Sequence, residues 1–155
     1  MDKNFLKRLD EKLKKQIANR CNFTLKDLPH PHKLQNVEKA AKRIVENLLS
    51  GKRMLIIGDY DADGIFATTI LMKFFTELGF SGLVDYKIPS RLKDGYGLNK
   101  TLIDYAIENG FNFVVTVDNG IAANEAIDYA NSKNYEVIIT DHHTPPATLP
   151  NAEII

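Results

Sequence analysis

"MLIIGDYDADG", from Met54 to Gly64, decides how the rest of the chain is read. An unbroken apolar run, Met54-Leu55-Ile56-Ile57, leads through Gly58 into Asp59, Asp61 and Asp63, spaced at every second position. A short apolar run bounded by glycine has the length and composition of a strand buried on both faces. The aspartates that follow it repel one another, so burial alone does not account for them.

The same pattern recurs downstream. "IFATTILMKFFTEL" (65–78) predicts a helix stopped at Gly79, and "GLVDYKI" (82–88) a strand. "NKTLIDYAIEN" (99–109) predicts a helix stopped at Gly110, and "FNFVVTV" (111–117) a strand. "AANEAIDYANSK" (122–133) predicts a helix and "YEVIIT" (135–140) a strand. "TPPATLPN" (144–151) is a Pro-rich loop, after which "AEII" opens a further strand. Apolar strands alternating with helices define an α/β fold, a parallel sheet with helices on both faces.

Upstream, Phe5, Leu6, Leu9, Leu13 and Ile17 recur at helical spacing, predicting an amphipathic helix over residues 3–20. Pro29 and Pro31 interrupt the pattern. Val37, Ala40, Ala41, Ile44, Val45, Leu48 and Leu49 then form one face of a second helix, with Gly51 beyond its end. The expected organisation is an N-terminal helical segment over 1–51 and a catalytic core over 52–155.

Composition narrows the setting. The 155 residues are 44% hydrophobic and 26% charged, enough for a buried core. Twenty basic residues balance twenty acidic ones, so any site for a polyanion is local. Cys21 is the single cysteine, which excludes an intramolecular disulfide and fits a reducing compartment. No apolar run reaches the ~18 residues of a membrane span, and the N-terminus has no secretory pattern, so the expected location is the cytoplasm.

Ligands of open parallel sheets bind beyond the carboxyl ends of the strands. Three strand ends here carry metal-ligating residue types: Asp59, Asp61 and Asp63; Asp118 in "TVDNG"; and Asp141, His142 and His143 in "TDHH". On an extended chain Asp61 and Asp63 point the same way, about 6.5–7 Å apart. Each then serves one of two ions, with Asp118 as a bridge. Oxygen ligands with imidazole and no thiolate suit Mn²⁺ or Mg²⁺. A calcium loop also begins D-x-D-x-D-G, but its twelfth position is here Ile70 instead of glutamate. A solvated acidic cluster and a phospho-acceptor receiver domain remain as other readings of aspartates at strand ends.

"GDYDADG", "VDNG" and "TDHH", in that order on an alternating α/β chain, resemble the first three motifs of the DHH phosphoesterase superfamily. "IPSRLKDGYGLN" (88–99) and "FTLKDLPHPHKLQNVEKAAKRI" (23–44) resemble segments of its single-strand-specific exonuclease branch. The resemblance implies a two-metal phosphoesterase, a 5′→3′ exonuclease on single-stranded DNA in repair and recombination, with two Mn²⁺ or Mg²⁺ ions. It implies single-stranded DNA as partner, together with a single-strand-binding protein and a helicase, and no membrane. A phosphoesterase of short oligonucleotides or cyclic dinucleotides, and a non-catalytic metal- or nucleotide-binding module, are the alternatives. By the same resemblance Asp61 and Asp118 bind one ion, and Asp63, Asp118 and His142 the other. Asp59 is a ligand or its hydrogen-bonded support, His143 faces the scissile phosphate and Asp141 orients an imidazole. Arg91, Gly95 and Gly97 contact substrate phosphate. Several family members have histidine two residues before the first aspartate; here that position is Ile57. The family's fourth motif and C-terminal substrate-binding domain are not in the sequence, so residues 1–155 alone are expected to be inactive.

Overall fold

A computed structural model describes Glu11, Lys15, residues 24–90, Gly95 and residues 97–155. The helix expected over 3–20 lies outside these residues except at Glu11 and Lys15, which are helical. Two compact units are present, Met1–Leu34 and Gln35–Ile155. The first contains two short 3₁₀ helices, Leu25–Asp27 and Pro31–Lys33. Asp27 accepts hydrogen bonds from the amide and hydroxyl of Thr24.

The second unit holds four strands, β1 (Met54–Ile57), β2 (Val84–Lys87), β3 (Phe113–Val117) and β4 (Glu136–Thr140). They interleave with α1 (Val37–Leu49), α2 (Ala62–Glu77), α3 (Lys100–Glu108) and α4 (Asn124–Ser132). All strand pairs are parallel, in the order β2-β1-β3-β4. Every residue of β1 and β3 is buried, as their unbroken apolar runs require. Leu55, Ile57, Val114, Val137 and Ile139 face α3 and α4, which contribute Leu102, Ile103, Ile127 and Ala130. Met54, Ile56, Phe113, Val115 and Ile138 face the other way, onto Leu48 of α1 and Phe75 of α2. The alternation of a strand's side chains thus divides one apolar run between two cores.

The helix placement follows from connection handedness. From β1 the chain crosses in one direction to β2; afterwards it crosses in the opposite direction, to β3 and then β4. Right-handed crossovers put helices on opposite faces when the direction reverses. The reversal falls between β1 and β3, and their carboxyl ends open the crevice where such sheets bind ligands. Beyond β4, Ile154 forms a parallel bridge to Ile138, and the Ile139 amide donates to the Ile154 carbonyl at 2.9 Å. The strand expected from "AEII" therefore begins beside β4. Among the described residues, no helix is long and apolar enough to cross a membrane.

The compact unit begins at Gln35, whereas the expected core begins at residue 52. The reason is packing: Ala40, Ile44 and Leu48 of α1 rest on the sheet, while Val45 and Leu49 stay exposed. A fork of hydrogen bonds from Arg43 to Glu136, at 2.8 and 2.9 Å, ties α1 to the start of β4. Asn47 adds a third bond to the same carboxylate. Arg43→Ala is expected to destabilise the unit by about 1 kcal/mol, because the fork is partly exposed and only its geometry is favourable. Urea denaturation should show a lower midpoint at unchanged slope.

Candidate metal centre

The β1 loop brings helix and strand into unusually close contact. Gly58 extends the ladder by one bond, its amide donating to the Lys87 carbonyl at 3.1 Å. α2 then begins at Ala62, three residues earlier than its apolar periodicity predicts. Asp61 is its N-cap, accepting from the Gly64 amide at 3.1 Å, and Asp63 sits in the first turn. The three aspartates therefore do not share one extended strand. Carboxylates at a helix N-terminus meet the positive end of its dipole, which offsets part of their repulsion. The Gly64 bond also holds the Asp61 carboxyl below its usual range. A Cβ on Gly64 would fall 2.7 Å from the Cβ, amide nitrogen and carbonyl oxygen of Asp59. Only glycine permits this approach. Asp59 itself is buried, with its Oδ1 accepting from the Tyr60 amide at 2.7 Å.

At the end of β3 the chain turns sharply. Asp118 takes a left-handed φ of 62°, and its amide donates to the Thr140 carbonyl at 3.0 Å. Asn119 is 1% exposed; its Nδ2 donates to the carbonyls of Ile57, at 3.0 Å, and Val117, at 2.9 Å. Asp118 is buried, and among the described residues no well-aligned donor reaches either of its carboxylate oxygens. His142 Nε2 approaches Oδ1 to 2.7 Å as an ion-pair contact. Burial pushes the Asp118 carboxyl up, and Asp63 and Asp61 push it further; His142 only partly opposes them.

The β4 loop is organised by Asp141. Its Oδ1 accepts from the amides of His142, at 2.7 Å, and His143, at 3.1 Å, and lies 2.7 Å from His143 Nδ1. Its Oδ2 accepts from the Ile121 amide at 2.9 Å. Burial pushes this carboxyl up, but the hydrogen bonds outweigh it and leave it below its usual range. The Asp141 contact raises the pKa of His143. His142 Nε2 also lies 3.7 Å from Asp63 Oδ2.

Two groups of ligand atoms result. Asp59, Asp61 and Asp118 each offer one within 4.8 Å of the others, and so do Asp118, His142 and His143. Asp118 belongs to both. The donor set, carboxylate oxygen plus imidazole with no sulfur, fits Mn²⁺ or Mg²⁺. A buried carboxylate with no aligned donor on either oxygen fits a cation better than it fits a closed protein core. Asp59 stands with Asp61 and Asp118, and His143 with His142 and Asp118. Asp63 approaches that second group through His142.

Gly95 and Gly97 take φ of 79° and 64°, the left-handed values their glycine identity anticipates. A Cβ on Gly97 would stand 4.0 Å from that of Asn119, so this loop borders the turn after β3. Arg91, Lys93 and Tyr96 lie outside the described residues. The sequence reading missed Asn119, Gly58 and Gly64, although all three sit inside the quoted motifs.

Residues 53–155 match the DHH family, N-terminal domain, and the chain belongs to that family. Among curated relatives, it is 38% identical over 140 residues to the single-stranded-DNA-specific exonuclease RecJ of Haemophilus influenzae, covering 90% of this chain and 24% of that protein. It is 42% identical over 122 residues to RecJ of Escherichia coli, covering 79% and 21%. The chain thus spans about a quarter of the length of these relatives. A crystal structure of exonuclease RecJ bound to manganese superposes with a TM-score of 0.71 at 37% identity, over 83% of this chain and 31% of that one. RecJ from Thermus thermophilus in complex with Mn²⁺ gives 0.68 at 31% identity, over 83% and 18%.

Proposed function

We propose that this chain forms the metal-binding face of a Mn²⁺- or Mg²⁺-dependent phosphodiesterase that degrades single-stranded DNA from its 5′ end. The observation that carries this reading is Asp118: one buried carboxylate, common to two groups of ligand atoms, at the switch point of the sheet. The sheet's likeness to Mn²⁺-bound RecJ structures supports the choice of metal, and the relatives' names support the substrate.

Asp59, Asp61 and Asp118 hold one ion; Asp118 and His142, with Asp63 beside them, hold the second. Bound divalent ions supply an activated water and neutralise charge on the phosphate. The protein's own part is positional. Asp141 fixes the His143 ring through Nδ1, so the imidazole meets the scissile phosphate in one orientation. The N-terminus of α2 adds a positive dipole on the same side. Arg91 and the Gly95 and Gly97 turns guide the DNA backbone. In the cell this activity belongs to repair and recombination in the cytoplasm, beside a single-strand-binding protein and a helicase.

The test is hydrolysis by the full-length gene product. With Mn²⁺ it should release nucleotides from the 5′ end of a long single strand, leave duplex intact and stop on chelation. Faster cleavage of dinucleotides with long strands untouched would move the reading to a small-substrate phosphoesterase. Binding of Mn²⁺ and DNA without turnover would make it a binding module. Arg91→Ala is expected to weaken single-strand binding and to flatten its salt dependence by about one phosphate contact. Titration of affinity against salt checks this, and an unchanged slope would remove Arg91 from the site.

A further inference from the structure

We infer that Asn119 is a positioning residue of the metal centre: its side-chain amide pins the ends of β1 and β3 together and so sets how Asp118 stands to Asp59 and Asp61. The inference rests on the metal reading above and concerns a residue that would touch neither ion nor substrate.

Asp118 takes a left-handed φ of 62°, a conformation that aspartate visits more readily than most residues and that neighbouring bonds here hold in place. Two constraints are visible. From the β4 side, the Thr140 carbonyl receives the Asp118 amide. From the β1 side, Asn119 Nδ2 uses both hydrogens, one on Ile57 at the end of β1 and one on Val117 at the end of β3. Ile57 stands two residues before Asp59, and Asn119 directly follows Asp118. The amide therefore spans the gap across which Asp59, Asp61 and Asp118 must converge.

Few side chains can do this. The pin needs two donors on one atom, close to the backbone. Serine and threonine have one, aspartate has none and glutamine carries its amide one carbon further from the backbone. The arrangement is also imperfect as a purely structural link. Asn119 Oδ1 is buried and finds no donor among the described residues, a cost that an apolar side chain would avoid. The retained amide is better explained by placement of Asp118 than by stability alone.

The experiment measures Mn²⁺ binding to the purified chain by calorimetry, alongside thermal unfolding, for the parent, Asn119→Ser, Asn119→Asp and Asn47→Ser. Asn47 is the control. It is a buried amide with bonds to Glu136 and Lys52, at the amino end of β4, away from the metal centre. Asn119→Ser should weaken Mn²⁺ binding by about 10–100-fold. Asn119→Asp, which sets a carboxylate against two carbonyls, should weaken it at least as much. Asn47→Ser should lower the melting temperature comparably and leave Mn²⁺ affinity within about twofold of the parent. A folded Asn119→Ser with parental affinity would overturn the inference, as would an equal loss of affinity in Asn47→Ser. Failure of both Asn119 variants to fold would assign the residue to the fold instead. A parent that binds no Mn²⁺ would sink the metal reading itself, an outcome distinct from the others.

Discussion

Asp118→Asn should make the metal-free protein more stable while removing most of its affinity for Mn²⁺. Most substitutions of a buried, hydrogen-bonded residue do the opposite. Here the carboxylate is buried with no aligned donor, beside Asp61 and Asp63. His142 Nε2, 2.7 Å from Oδ1, offsets part of this, while burial and the two neighbouring carboxylates still push the carboxyl up. Asparagine removes the charge, keeps the shape and is among the few residues that tolerate a left-handed φ. Removing a buried charge from beside two like charges is worth about 1–2 kcal/mol. That should raise the melting temperature by roughly 2–8 °C in a unit of this size. In the presence of the ion the sign reverses. Both ligand groups lose their common member, and affinity should fall by more than ~10²-fold. Thermal unfolding with and without Mn²⁺ separates the two effects, because ligand binding to the native state raises the midpoint only where affinity survives. A variant less stable than its parent in chelator would mean that Asp118 has a structural role.

Gly64→Ala should be the most damaging of the small substitutions. Propensity alone favours it, since alanine is better than glycine in a helix by about 1 kcal/mol. Sterics decide otherwise. The new Cβ would press on the Cβ and backbone atoms of Asp59, buried two residues beyond a strand paired on both sides. Backbone held in this way does not yield, so the first turn of α2 must lift. Overpacking of this kind costs about 3 kcal/mol, and loss of the Asp61 cap about 1 kcal/mol more. A net loss of roughly 3 kcal/mol should appear in urea denaturation, with Mn²⁺ affinity falling as Asp61 moves away from Asp118. Gly58 makes the contrast. A Cβ there would collide first with the Thr68 hydroxyl, a side-chain atom. Gly58→Ala should therefore be partly rescued by Thr68→Ala, whereas no side-chain truncation should rescue Gly64→Ala. Unchanged stability in Gly64→Ala would show that α2 stands further from Asp59.

β1 and β3 were legible because burial on both faces leaves an unbroken apolar run; Val84–Lys87, with Asp85 and Tyr86 exposed, was legible from its place between two helices. The convergence of three loops followed from the rule for parallel sheets. Strand order did not follow, because nothing local in Val84–Lys87 says which neighbour it pairs with. The start of α2 was misplaced because helical periodicity begins only at Ile65, while the first turn is polar and belongs to the site. That misplacement also explains Asp63, whose alternation with Asp61 reads as one extended face until the helix turns it away. The apolar stripe of α1 was visible, but a stripe names no partner, and its packing on the sheet emerged only in three dimensions. Asn119 was hidden for a related reason. Beside Gly120 it reads as a turn residue, and its bond to Ile57 spans 62 positions of sequence.

The dispersal of the ligands over the loops that follow three separate strands also has a kinetic meaning. No hairpin, no single β-α-β unit and no early local cluster contains both groups of ligand atoms, since β1 meets β3 only after β2 and α3 have been laid down. A cation that needs both groups can therefore recognise the finished sheet and little that precedes it. Ions that bind only after the rate-limiting step leave the refolding rate alone and slow the reverse reaction. Mn²⁺ should act on this fold as a latch that retards opening, lengthening the native lifetime without hastening its arrival.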